Sequence, residues 1–202
     1  DPYNQMMNRM NSLLMQGHEV DKLELIIEGG TYTEFPKSYL ETFHRDVFYS
    51  ANTFYDIEPK RQPLELEEEI CINKTTKVRI IGICIETRPD AIDNDWIKFF
   101  RNTGTTRIQL GVQHTNNKLL KKINRGHTFE QAVECIKYLK NNCFKVDIHL
   151  MPDLPGSTPE LDKEMFDIVY NSSIIQPDQT KIYPCEVVPW TVIKQWHESG
   201  KY

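Results

Sequence analysis

Five short apolar runs in this chain each end in a small polar cluster: Glu28, Gly29, Gly30 and Thr31; Glu86, Thr87 and Arg88; Gln113 and His114; His149 with Asp153; and Lys181 with Tyr183. Each cluster has a definable chemistry. Adjacent glycines have no Cβ, so their backbone can approach a ligand's charged amino-acid group closely; a tight turn with positive φ is the plainer alternative. Glu86 follows a mostly buried run, where a carboxylate is costly unless paired, so it meets either Arg88 or the hydroxyls of a ligand such as a ribose. Gln113 can donate to a carboxylate, and Arg125, twelve residues further on, offers a two-pronged match to the same group. His149 reads either as a satisfied core imidazole or as a ligand-facing group. The Lys181 ammonium and the Tyr183 phenol can both donate to a carbonyl oxygen.

Groups from separate runs act together only where the fold brings the run ends to one place, as a parallel sheet does at the carboxyl ends of its strands. The spacing supports that arrangement. Helical periodicity over Met6, Met10, Leu13 and Leu14, with Gly17 as a stop, predicts an opening helix that packs on a sheet. Strands are expected at 23–27, 78–85, 107–112, 145–150 and 180–183, and helices at 36–55, 93–103, 128–140, from Thr158 onward, and around Val192, Ile193 and Trp196. The helix at 36–55 presents Tyr39, Leu40, Phe43 and Val47 on one side, and the continuously apolar run at 78–85 implies a strand covered on both faces. Thr128 with Gln131 forms a capping box, and Gly104 ends the helix at 93–103 before the strand at 107–112. Residues 56–77 read as a variable surface insertion with a short helix over 64–70, its acidic run at 65–69 a solvated face. Lys118, Lys121, Lys122 and Arg125 make a basic face on a short helix, solvated by default and phosphate-binding at its boldest.

Repeated strand-then-helix units with right-handed crossovers leave a parallel barrel or a doubly wound open sheet. Five units cannot complete an eight-unit barrel, so the expected fold is α/β: a partial, open parallel (β/α) barrel in one domain over 1–202, truncated at its N-terminus with a strand missing before residue 1.

Composition bounds the rest. With 39% hydrophobic residues in 202, a real core is available, and a net charge of -5 neither demands nor excludes a nucleic-acid partner. The five cysteines are odd in number, widely spaced and without a metal-binding signature, which fits reduced structural thiols. No apolar stretch reaches the roughly 18 residues of a membrane span and no leader opens the chain, so a cytoplasmic protein without membrane association is expected.

The polar clusters extend into longer motifs. Gly29, Gly30 and Thr31, GICIETRPD at 82–90, LGVQH at 110–114, NRGHT at 124–128, HLMPDLP at 149–155, KIYP at 181–184 and the stretch 196–202 form an ordered series. This series resembles the radical S-adenosylmethionine (radical-SAM) domain of the Elongator catalytic subunit and its archaeal and bacterial relatives. The resemblance implies a barrel of the radical-SAM type in a tRNA-modifying acyltransferase that forms 5-carboxymethyluridine at the wobble position. Its cofactors would be S-adenosylmethionine and a [4Fe-4S] cluster, its co-substrate acetyl-CoA, and its partners tRNA and Elongator-type subunits. By similarity, Gly29, Gly30 and Thr31 would hold the methionine amino end, Gln113 and Arg125 its carboxylate and Glu86 the ribose, with His149 along the nucleoside. Lys181 and Tyr183 would position the acetyl group or the target base. The family's three cluster cysteines precede the region matching Asp1, Pro2 and Tyr3, and its acetyltransferase domain follows the barrel. Neither lies within these 202 residues, so this stretch alone would not complete the reaction. The alternatives are a non-catalytic module binding S-adenosylmethionine or tRNA, and a different radical-SAM enzyme acting on porphyrins or another RNA position.

Overall fold

A computed structural model describes residues 1–58 and 60–202. Its order is α1 (Pro2–Met15), β1 (Lys22–Ile27), α2 (Lys37–Asn52), α3 (Leu66–Asn73), β2 (Arg79–Thr87), α4 (Asn94–Asn102), β3 (Arg107–Gln113), α5 (Asn117–Lys122), α6 (Phe129–Asn141), β4 (Lys145–Leu150), α7 (Pro159–Asn171), β5 (Gln179–Ile182) and α8 (Val192–Glu198). The strands form one sheet in the sequential order β1-β2-β3-β4-β5, and the pairs β1–β2 and β4–β5 are parallel. A doubly wound sheet reverses its order at a switch point; sequential order is that of a barrel. The chain packs as two compact units, Asp1–Ile85 with Asp93–Arg107, and Glu86–Ile92 with Ile108–Tyr202.

In the first unit, Met10 of α1 is buried with Val20, Ala51, Phe54 and Val78, and Met6, Met7 and Leu13 pack around them with Leu23 and Ile80. The helix therefore seats on α2 and on the first residues of two strands, as the spacing of Met6, Met10 and Leu13 predicts, whereas Leu14 of the same expected stripe is exposed. Two expectations need correction. The buried stripe of α2 is Leu40, His44, Val47, Phe48 and Ala51, and Tyr39 faces solvent. β2 is covered on both faces only from Gly82 onward, since Arg79 and Ile81 are exposed.

The acidic run is also not wholly a solvated face. Glu69 is 0% exposed and accepts both Arg61 nitrogens at 2.6 Å, the Leu64 amide at 2.9 Å and Asn52 Nδ2 at 2.8 Å. Asn73 extends this network, donating to Asn52 Oδ1 and the Val78 carbonyl and accepting from the Ile80 amide. The segment 61–73 is thus pinned by its own buried charge, with Glu65 and Glu68 forming a capping box at the start of α3.

In the second unit the predicted capping box is present, Thr128 Oγ1 accepting from the Gln131 amide and Gln131 Oε1 from the Thr128 amide. Ala132, Ile136 and Leu139 of α6 are buried, and α7 buries Met165 and Val169 behind its Thr158 cap. Helix endings share one chemistry. Gly17 and Gly104 take positive φ, and the next residues donate back to Leu13 and Phe100 to close the last turn. The same closure recurs without glycine at Asn124 (φ 58) and Cys143 (φ 60). Asparagine tolerates that conformation; cysteine has no such compensation, and the left-handed form costs an ordinary residue roughly 1–2 kcal/mol. Cys143→Gly is therefore expected to stabilise the chain by about 1 kcal/mol. A urea midpoint that stays put or falls would contradict this.

Candidate functional site

Glu86, Gln113, Arg125, His149, Lys181 and Tyr183 all belong to the second unit, and its strands carry them to neighbouring positions. Parallel register places His149 opposite Lys181 on β4 and β5. Period-two alternation puts Gln109, Gly111 and Gln113 on one face of β3. Contacts link these faces: His149 Nδ1 lies 3.4 Å from Glu86 Oε1, His149 Nε2 2.9 Å from Gln109 Oε1, and Lys181 Nζ 2.9 Å from the same oxygen. The Tyr183 ring meets the His149 ring edge-on at 5.6 Å.

Glu86 finds a partner that its sequence neighbourhood did not suggest. Arg88 makes a forked pair with Asp90, and the half-buried Glu86 turns to His149. That hydrogen bond, which outweighs burial, holds its carboxyl below the usual carboxylate range, with help from the nearby Lys181 and Arg125 charges.

Gln113 and Arg125 converge over Gly111. A Cβ on Gly111 would lie 2.6 Å from Arg125 Nη2 and 3.2 Å from Gln113 Nε2, so only glycine leaves the passage open. The local chain explains both positions. Asn124 in the left-handed form ends α5 and lets Arg125 donate its amide to the Leu120 carbonyl, which turns the side chain inward. Gln113 sits at φ 72 inside a three-residue turn closed by the His114 amide and the Val112 carbonyl, a sparsely populated state of the kind that collects at ligand sites. Arg125 Nη2 donates to the Gly111 carbonyl at 2.6 Å, and its Nε is buried with no hydrogen-bond partner. Burial first, and then the nearby Arg88 charge, pull its pKa down. A half-buried cation with an orphan donor beside a second cation has the chemistry that an anion would satisfy. This parts Arg125 from the expected basic face, because Lys118, Lys121 and Lys122 stay on the exposed side of α5.

Two members of the polar clusters serve the loops instead. His114 is 1% exposed; its Nδ1 accepts the Asn116 amide, so Nε2 carries the proton donated to Asp162 at 3.2 Å. Burial pushes its pKa down. Asp162 also accepts the Asp153 amide and the Ser157 hydroxyl, so one α7 carboxylate ties down the loops leaving β3 and β4. Sequence reading missed Asp162 and Gln109. The second had a visible signal, a lone amide inside an otherwise apolar strand.

Gly29, Gly30 and Thr31 follow β1 in the first unit. Both glycines have positive φ, 131 and 89, with nothing within 4 Å of a hypothetical Cβ. Positive φ at both is what the turn reading expects, and the open space beside them is what the close approach of a ligand would need. Tyr32 anchors the turn, buried against Trp96 and Phe100, with its hydroxyl 2.7 Å from His44 Nε2. Among the described residues no cysteine forms a disulfide. Among the described residues no group of three or more His, Cys, Asp or Glu is placed to hold a metal ion, and no helix is long and apolar enough to cross a membrane.

Comparison with known proteins agrees with this architecture. The family model described as Radical SAM superfamily matches residues 38–168. The tRNA uridine(34) acetyltransferase of Methanocaldococcus infernus is 38% identical over 202 residues, covering 100% of this chain and 36% of that protein. Elongator complex protein 3 of Bos taurus is 33% identical over 207 residues, covering 100% and 36%. The solved structure of archaeal Methanocaldococcus infernus Elp3 with an N-terminal deletion superposes with a TM-score of 0.92 at 38% identity, over 100% of this chain and 46% of that one. The chain thus spans about a third of the length of the curated relatives it matches. With a family model covering well over half its residues and the parallel strands of a partial (β/α) barrel, the chain belongs to the radical SAM superfamily.

Proposed function

We propose that this chain is the barrel core of a tRNA wobble-uridine acyltransferase that forms 5-carboxymethyluridine from acetyl-CoA with S-adenosylmethionine and a [4Fe-4S] cluster. The cluster's cysteines and the acetyl-CoA-handling domain would lie outside these 202 residues, and tRNA with Elongator-type subunits in the cytoplasm would be its partners. The observation that carries the reading is the buried, partnerless Nε of Arg125 beside Gln113, on the same unit as Glu86, His149 and Lys181. Its likeness to proteins named tRNA uridine(34) acetyltransferase supports the substrate.

The residues present fit S-adenosylmethionine. Arg125 and Gln113 would hold its carboxylate, giving the orphan donor a partner and relieving the repulsion from Arg88. Glu86, kept ionised by His149, would accept the ribose hydroxyls, and the His149 ring would flank the nucleoside. The assignment of Gly29, Gly30 and Thr31, which lie on the first unit, to the methionine amino end rests on the resemblance alone. Bound together, S-adenosylmethionine and the cluster supply one-electron chemistry. Lys181, held by Gln109, and the exposed Tyr183 would donate to the acetyl carbonyl oxygen or orient the uridine.

In the full-length protein with its cluster reconstituted without oxygen, Lys181→Ala is expected to lower formation of modified wobble uridine by about a hundredfold, the usual loss of a preorganised donor. Its affinity for S-adenosylmethionine should stay near wild type. Unchanged product in Lys181→Ala, or a wild-type protein that leaves wobble uridine unmodified, would refute this assignment.

A further inference from the structure

We propose that Gln109 is a positioning residue that sets the proton arrangement of the site, holding the Lys181 ammonium and fixing which nitrogen of His149 carries a permanent proton. Its amide is 2% exposed in the middle of β3, between Ile108 and Leu110, which are both fully buried. A polar side chain in such a place is costly unless it is used. Its Oε1 accepts from Lys181 Nζ at 2.9 Å and stands 2.9 Å from His149 Nε2.

Chemistry assigns the protons. An ammonium only donates, so the atom of Gln109 facing Lys181 is the oxygen. The same oxygen faces His149 Nε2, which must then be the donor. Nδ1 is left opposite Glu86 Oε1 at 3.4 Å. Without a proton there, its lone pair points at a carboxylate; with one, the contact becomes a charge-assisted hydrogen bond. Gln109 thus holds Nε2 as the donor nitrogen of His149 and leaves Nδ1 as the one that faces Glu86. It also ties that ring to Lys181, so Glu86, His149, Gln109 and Lys181 form one line of contacts, hydrogen-bonded along its whole length when His149 carries both protons.

The functional weight of this line rests on the reading of Glu86 and Lys181 proposed above, but the proton arrangement is measurable without substrate. The full-length protein labelled with 15N-histidine is recorded by long-range 1H–15N correlation across pH, His149 being assigned from the signal lost in His149→Gln. The wild type should show Nε2 protonated throughout and the pH-dependent change confined to Nδ1. Gln109→Met, of similar length but without the acceptor, should lose the Nε2–H tautomer in favour of Nδ1–H donating to Glu86, and Gln109→Glu should restore it. Unshifted His44 and His114 signals in the variants would show that the fold persists. A neutral wild-type His149 with its proton on Nδ1, or a Gln109→Met spectrum unchanged from wild type, would overturn the proposal. Should Gln109→Met fail to fold, the wild-type tautomer decides alone. In the full-length protein the same substitution should lower product formation tenfold or more, with rescue in Gln109→Glu; full product with the tautomer displaced would sink the role assigned to Lys181 while the proton arrangement stands.

Discussion

Arg125→Ala is expected to weaken binding of S-adenosylmethionine by about a hundredfold. Arg125 reaches its place only because Asn124 turns the chain inward and Gly111 offers no Cβ to block it. There it holds one donor on the Gly111 carbonyl and presents another, Nε, with no partner. Hydrogen bonds to charged groups contribute about 1.5–3 kcal/mol each. Loss of a forked contact to a carboxylate therefore costs about 3 kcal/mol, which corresponds to roughly a hundredfold in Kd. Arg125→Lys should recover little, since an ammonium on a flexible stem cannot span both the Gly111 carbonyl and a ligand carboxylate. Titration calorimetry on the full-length protein measures both variants. An Arg125→Ala protein binding within about threefold of wild type would be incompatible with an anion receptor at this position.

The second large effect falls on stability. Glu69 has four donors around one fully buried carboxylate, two of them from Arg61. Removing one partner of a buried pair typically costs 3–5 kcal/mol, because the other charge is left stranded. The Arg61 side chain is one-third exposed and can partly rehydrate, so Glu69→Ala should cost the lower figure, about 3 kcal/mol. A urea melt should show a lower midpoint at an unchanged slope. The pH dependence follows from the same contacts. Burial pushes the Glu69 carboxyl up, but the Arg61, Leu64 and Asn52 hydrogen bonds more than offset it and hold its pKa below the ordinary value. A depressed folded value means the stabilisation is complete above the unfolded carboxylate pKa, about 4.3, and is lost as pH falls through the folded one. Wild type should therefore lose stability in acid more steeply than Glu69→Ala. Parallel acid profiles would show that Glu69 contributes nothing through its charge.

Local grammar was legible in this chain and long-range pairing was not. Thr128 with Gln131 announces its helix because a capping box lies wholly within four residues, and Gly17 and Gly104 announce helix ends because glycine adopts the required φ without penalty. Asn124 and Cys143 perform the same closure without that signature, so nothing in the composition marked them. The candidate site was legible as a set of polar residues at strand ends, since strand ends are where apolar runs stop. Which of them touch was not, because partners across strands are set by register. Glu86 has an arginine two residues away and binds a histidine 63 positions further on. Gln109 was passed over because it interrupts an apolar strand instead of ending one, and Glu69 because a carboxylate in an acidic run looks solvated until its arginine, eight residues earlier, folds onto it.

The central claim is that Arg125 is the receptor for the carboxylate of S-adenosylmethionine, and a two-by-two binding measurement tests it most directly. Wild type and Arg125→Ala are each titrated with S-adenosylmethionine and with its decarboxylated analogue. Removing the carboxylate should cost the wild type about a hundredfold and the variant far less, only the share held by Gln113, the signature of a direct pairwise interaction with Arg125. An equal loss in both proteins would mean that the carboxylate is bound elsewhere.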